Sequence, residues 1–282
     1  MSIGDVLRPF VAAAAAVAEV GTLPPDTHRP WPVPRRPWIM AQTWQDLLFA
    51  HWPLSEQTLR PLIPSALHLE TFEGSAWLSI TPFVVTGLRP RSVPPIPGLS
   101  EFPEINVRTY VTVGDKPGVF FFSLDAGSTL AVIGARTLYF LPYRRARFTV
   151  DSTPSGIRYS SRRTQPGAPP AEFRAEYRPA GEAMVATPGT LAAWLTERYC
   201  LYAVDRRGRI HRAEIHHRPW PLQAADAKID RNTMTNGLGF EVPDVPPLVQ
   251  FAAHLDVRVW APELVETAPP APRARDASRR EA

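Results

Sequence analysis

The stretch Phe102–Phe148, FPEINVRTYVTVGDKPGVFFFSLDAGSTLAVIGARTLYFLPYRRARF, decides the fold. Ile105–Val113 alternates apolar and polar residues, and Val119–Leu124 is a continuous apolar run. The VGDKPG segment between them supplies a turn, so the pair predicts a β-hairpin. Successive strand side chains point to opposite sides, so Ile105, Val107, Val111 and Val113 share one face. Glu104, Asn106, Arg108, Tyr110 and Thr112 share the other. An acid, an amide, a guanidinium and a phenol on one face either meet water on a half-exposed sheet or line a cavity in a curled one. Glu104 and Arg108 stand ~13 Å apart along a strand, so they do not simply pair with each other. Ser128–Leu138 then shows helical spacing, with Ser128 or Thr129 placed to cap it.

Upstream, Thr43–Ala50 and Ala76–Thr86 read as strands, the second interrupted at Pro82. Ser55–Ile63 reads as a short helix stopped by Pro64, and Arg89–Phe102 as a proline-rich surface loop. Downstream, Phe148–Val150, Ile157–Ser160 and Glu172–Tyr177 predict successive strands of a meander, and Thr190–Arg198 a helix. Tyr199–Val204 and Arg209–His217 flank DRRG as a second hairpin, and Phe251–Trp260 is a closing strand. AADAKIDRN, around Lys228, reads as a polar stretch. Many strands and few short helices predict an α+β fold dominated by an antiparallel β-sheet, curled or closed. Residues 1–27 are expected to form an Ala-rich helix and linker, 28–264 one domain, and 265–282 a disordered tail.

Composition agrees with a packed protein. Hydrophobic residues are 44% and charged residues 21% of the chain, so a sizeable core is affordable. The 33 prolines in 282 residues far exceed the usual ~5%, yet with 16 glycines the chain stays below the ~25–30% of low-complexity sequence. Disordered, collagen-like and coiled-coil proteins are thereby excluded. A lone cysteine, Cys200, excludes an intrachain disulfide and an all-cysteine metal centre, and suits a reducing compartment. Of 31 basic residues only Lys116 and Lys228 are lysines, and the net charge is +4. No dense basic run with interleaved aromatics occurs, so a nucleic-acid partner is not expected. Nor is a membrane partner, because no stretch reaches the ~18 consecutive apolar residues of a span. VAAAAAVAEV at 11–20 contains Glu19 and reads as a short helix rather than an export signal, which makes a cytoplasmic location the expectation.

The Phe102–Phe148 run resembles the YqjF family, whose members carry the uncharacterised domain DUF2071. LLFAHWPL, LIPSALHLETFEGSAWLSITPF, LTERYCLY, IHHRPWPL and NTM support the same resemblance, which extends from about Trp31 to Trp260. It implies kinship with the acetoacetate decarboxylases, hence a β-barrel-like sheet around an internal cavity. In those enzymes an acid opens a strand before a hairpin. A helix then leads through a Gly–Arg turn to a Phe-Pro-Lys-Lys element whose first lysine forms a Schiff base. By order and spacing Glu104 matches the acid, Ala135-Arg136 the Gly–Arg pair, and Leu141-Pro142-Tyr143-Arg144 the lysine element. Tyr143 thus stands where the reactive lysine would be. A phenol cannot form an imine. Lys116 reads as a solvated hairpin tip, and Lys228 lies beside Asp226 and Asp230, which favour its charged form.

The resemblance therefore implies a cavity that acts on or binds a small organic acid or keto-acid derivative without a Schiff-base lysine. Glu104 is the candidate acid or base and Tyr143 a phenolic donor. Arg108 or Arg136 would receive a carboxylate, with Asn106 and Tyr110 beside them. The alternative is a non-catalytic ligand-binding protein on the same scaffold. Cys200 reads as a small buried hydrophobe rather than a nucleophile. His211, His216 and His217 with Glu214 lack zinc-site spacing, so neither metal nor cofactor is expected. The tryptophans read as core.

Overall fold

The computed structural model describes residues 25–265, apart from 97 and 99. The N-terminal helix and linker expected at 1–27, apart from 25–27, and the tail expected at 265–282, apart from 265, lie outside the described residues.

Among the described residues thirteen strands follow one another: β1 Met40–Leu54, β2 His68–Leu69, β3 Ala76–Pro90, β4 Phe102–Val113, β5 Lys116–Ala126, β6 Tyr143–Thr153, β7 Gly156–Arg163, β8 Glu172–Met184, β9 Cys200–Val204, β10 Ile210–His216, β11 Leu222–Asn232, β12 Leu248–Val259 and β13 Glu263–Leu264. Three short helices interrupt them: α1 Glu56–Leu59, α2 Thr129–Leu138 and α3 Leu191–Thr196. Each begins at a hydroxyl cap, Ser55, Ser128 and Thr190, whose side-chain oxygen accepts a backbone N–H of the first turn.

All the strands join one sheet, antiparallel except where β5 meets β6 and β9. The hydrogen bonding is ring-like. One circuit runs β5-β6-β7-β8-β11-β12-β1-β3-β4 and back to β5; a second leaves β5 through β9 and β10 and rejoins at β12. The strands β12-β1-β3-β4-β5 are common to both circuits and form a shared wall. On one side of that wall Leu48, Ile80, Ile105 and Val107 pack with Tyr159 and Phe173 into a solid core. On the other, Phe49, Phe83, Phe121 and Leu124 pack with Trp220 and Val257. Both faces of β4 are therefore buried, and its polar face meets no open water.

Two local expectations are corrected. β3 runs unbroken through Pro82, because β1 bulges away between Gln45 and Ala50 and leaves that part of β3 without a β1 partner. A proline, which has no N–H to give, is tolerated where no ladder bond is required. AADAKIDRN belongs to β11, half-buried through Ala225, Ala227 and Ile229. Its inward residues are mostly alanines, poor strand formers, which hid it.

The link from β5 to β6 shapes the site. Their parallel pairing covers only Leu124↔Tyr143, Asp125↔Arg144 and Ala126↔Arg145. A parallel pair needs a crossover, and α2 supplies it. After Tyr139 caps the helix, Phe140 takes φ 57°, a left-handed turn that ends α2 and swings Leu141-Pro142 into β6.

Candidate functional site

On the far side of the shared wall from the solid core lies a cavity of about 500 Å³. Its walls come from the first residues of β1, the middle of β3, the polar face of β4, and β5, with α2 along one margin and Trp220 opposite. The lining is mostly apolar. Its ionisable lining comprises Arg89, Glu104, Arg108, Arg198 and His217, with the phenols of Tyr139 and Tyr143.

Glu104 is 4% exposed, and the Tyr143 hydroxyl donates to its Oε2 at 2.8 Å. The Tyr159 hydroxyl, from β7, donates to the Glu104 backbone carbonyl at 2.7 Å and holds the strand in place from the core side. Burial pushes the Glu104 carboxyl up to about 8, against the pull of the Tyr143 hydrogen bond. The same burial, then the adjacent Glu104, raises the Tyr143 phenol well above its ordinary range. At neutral pH this is a carboxylic acid with its proton on, able to donate to a ligand oxygen. Tyr143 reaches it because the short β5–β6 pairing sets Tyr143 opposite Leu124 on the next strand.

Arg108 is also buried, its guanidinium carbon 5.3 Å from the Phe49 ring centroid. The Tyr110 phenol lies beside it and favours its charge, and the Tyr110 hydroxyl is 3.2 Å from His51 Nδ1. Burial and the nearby Arg198 both disfavour the Arg108 charge, with Tyr110 opposing. Among the described residues no carboxylate lies within ion-pair distance of Arg108, and its Nε has no hydrogen-bond partner. Arg198, by contrast, is paired with Glu70 and stacks on Trp194 and Tyr110. His217 is held by the carbonyls of Arg218 at 2.7 Å and Arg198 at 3.4 Å, and burial lowers its pKa to about 4.

Of the residues singled out from sequence, Glu104, Asn106, Arg108 and Tyr143 line this cavity. Tyr110 does not: it is fully buried beneath Arg108 and supports it. Arg136 is a correction, since it is exposed in the last turn of α2 and lies outside the lining, where a helix end leaves it facing water. Lys116 is another. Rather than a solvated tip, it meets buried Glu214 at 2.6 Å, beside Arg29 and Trp31. Lys228 is exposed and paired with Asp230 at 3.0 Å. Neither lysine lines the cavity. Cys200 is buried, and burial pushes its thiol up to about 12, the state of an inert packing residue. The histidines of HRAEIHH are separated, His211 going to Asp205 at 3.1 Å while His217 faces the cavity. Arg198 also lines the cavity, and its ion-pair partner Glu70 is 128 positions away in the chain.

A ring-like, largely antiparallel sheet around an internal cavity defines an acetoacetate decarboxylase-like fold. Solved structures agree. The enduracididine biosynthesis enzyme MppR, complexed with the condensation product of pyruvate and imidazole 4-carboxaldehyde, superposes at TM-score 0.59 and 10% identity, covering 83% of this chain and 92% of that one. An acetoacetate decarboxylase superposes at TM-score 0.54 and 12% identity, covering 82% and 90%. The chain belongs to the DUF2071 family, described as an uncharacterized conserved protein, whose model matches residues 41–256. It is 47% identical over 228 residues, 81% of its length and 93% of the relative's, to the uncharacterized protein YqjF of Bacillus subtilis (strain 168). Among the described residues no helix is long and apolar enough to cross a membrane.

Proposed function

We propose that the cavity receives a small organic acid and that the protein acts on it by proton transfer without an imine. Arg108 takes the carboxylate, because a buried guanidinium with no carboxylate of its own gains most from an incoming one. That unpaired cation is the observation that carries the proposal. Neutral Glu104 donates to a carbonyl or hydroxyl oxygen of the same ligand, with Tyr143 holding the carboxyl in its donating orientation. Asn106, between them on the strand, offers an Oδ1 that has no partner. MppR's complex with a product of pyruvate supports an acid as ligand.

A second reading, binding without turnover, is favoured by the lack of any lysine in the cavity lining. Calorimetry with a panel of keto acids and hydroxy acids, followed by turnover assays on each binder, separates the two. Arg108→Met is expected to weaken binding of every acid at least tenfold. Borohydride with acetoacetate or pyruvate is expected to leave the chain's mass unchanged; a reduced imine at Lys116 or Lys228 would overturn the non-imine route.

A further inference from the structure

We infer that the acid taken by this cavity is an elongated amphipath, with its carboxylate at Arg108 and an apolar body of several carbons extending to α2. A three- or four-carbon keto acid does not fit this description. The inference rests on Arg108 as the carboxylate receptor.

The spacing on β4 comes first. Glu104 and Arg108 are four residues apart on one strand face, ~13 Å between Cα atoms. The Arg108 guanidinium lies over Phe49, which the register of β1 and β3 sets about level with Asn106, so the head-group position faces the stretch of strand between the two poles. A ligand that runs from the Arg108 head group to Glu104 follows the strand face past Asn106.

The surface between and beyond the poles comes second. Leu47, Phe83, Phe121 and Leu124 line the space beside them, with Trp44 and Trp220 stacked at 5.7 Å in the same lining. At about 500 Å³ the cavity falls within the ~300–1,000 Å³ of sites that enclose ligands much larger than acetoacetate. A compact polar substrate would leave most of this lining uncovered.

The rim comes third. Leu130 and Leu138 of α2 line the cavity and yet are 62% and 64% exposed, and Ile39, also in the lining, is 40% exposed. Apolar side chains continuous with a cavity and open at its edge mark a binding surface rather than random exposure. An acid seated at Arg108 with a short tail leaves these leucines wet. A longer apolar body covers them, and the same contact turns the outer side of α2 into part of the site.

The test is titration calorimetry on the full chain with straight-chain carboxylates from butanoate to decanoate, and with the primary amide of each. Affinity is expected to rise about fourfold per added methylene until the cavity is filled, then to level off. Each acid is expected to bind at least tenfold tighter than its amide. Arg108→Met should abolish the acid-over-amide preference while keeping the dependence on chain length. Leu138→Gln, at an exposed position, should weaken the longer acids at least tenfold and by a larger factor than it weakens butanoate. Affinity that is flat or falls with chain length, with acids still preferred over amides, overturns the elongated ligand and leaves the carboxylate reading standing. Amides binding as well as acids, or no acid binding at any length, overturns the carboxylate reading and this inference with it. The acid–amide comparison on the unaltered chain decides the head group even if Arg108→Met fails to fold. Longer acids indifferent to Leu138→Gln would remove α2 from the site.

Discussion

At the scale of single residues, Glu104 carries the most distinctive chemistry. Its carboxyl ordinarily titrates at 4.5 and is held to about 8 in the folded chain. Between those values the folded state keeps a proton that the unfolded chain has given up. Stability therefore falls as pH rises through that window, by at most ~1.4 kcal/mol per pH unit. Glu104→Gln, which cannot ionise, is expected to flatten the dependence of Tm on pH between about 5 and 8, as differential scanning fluorimetry would show. If Glu104 acts as a proton donor, wild-type turnover falls above about pH 8. Tyr143→Phe removes the hydrogen bond that pulls the carboxyl down, so that upper limb should move to higher pH while stability drops by only ~1 kcal/mol. An unmoved limb would disconnect the two groups. The acid and the phenol were legible in the sequence, the first from strand alternation, the second from the family resemblance. Their contact was not, because it depends on the parallel pairing of β5 with β6 across a helix, which no local pattern encodes.

At the scale of elements, β4 is the informative one, because its two faces serve different ends. Val107 is fully buried in the solid core, while Asn106, its neighbour, lines the cavity and leaves its Oδ1 without a partner. Val107→Ala is expected to cost about 2 kcal/mol in urea unfolding, through lost methyl burial and the small void left behind. Asn106→Ala should stay within ~0.5 kcal/mol in stability and show its effect in ligand binding instead. Equal losses at the two positions would mean that the cavity face is part of the packing. Alternation over Ile105–Val113 was enough to sort these side chains into two sets. It could not say that both sets are buried, since one period-two pattern serves a half-wet sheet and a wall between two interiors alike. The helix α2 was equally legible from its cap and spacing, but its exposed leucines acquire meaning only beside the cavity.

At the scale of the whole molecule, residues ahead of the first strand are tied into the sheet by buried charge. Arg29 Nη2 meets Glu214 on β10 at 3.0 Å with both side chains nearly solvent-free, and Lys116 holds the other carboxylate oxygen. Arg29→Ala leaves Glu214 with fewer partners in a dry site, and is expected to cost ~3 kcal/mol in global stability by chemical denaturation. An unchanged midpoint would show that Lys116 and Arg212, whose Nε lies 3.8 Å from the same carboxylate, suffice. Strand content and sheet class followed from the sequence, whereas this tie did not, because it joins positions 185 apart. The pairing of β1 with β12, from Met40↔Val259 to His51↔Leu248, reaches further still and completes both circuits of the sheet. On a ribosome the chain emerges from its first strand onward, so neither circuit can shut until nearly the last described residues have been made. Contacts so distant in sequence form slowly. The nascent chain must therefore keep β1 unpaired on that edge for most of synthesis, and ligand binding should appear only with the slowest refolding phase in a stopped-flow experiment.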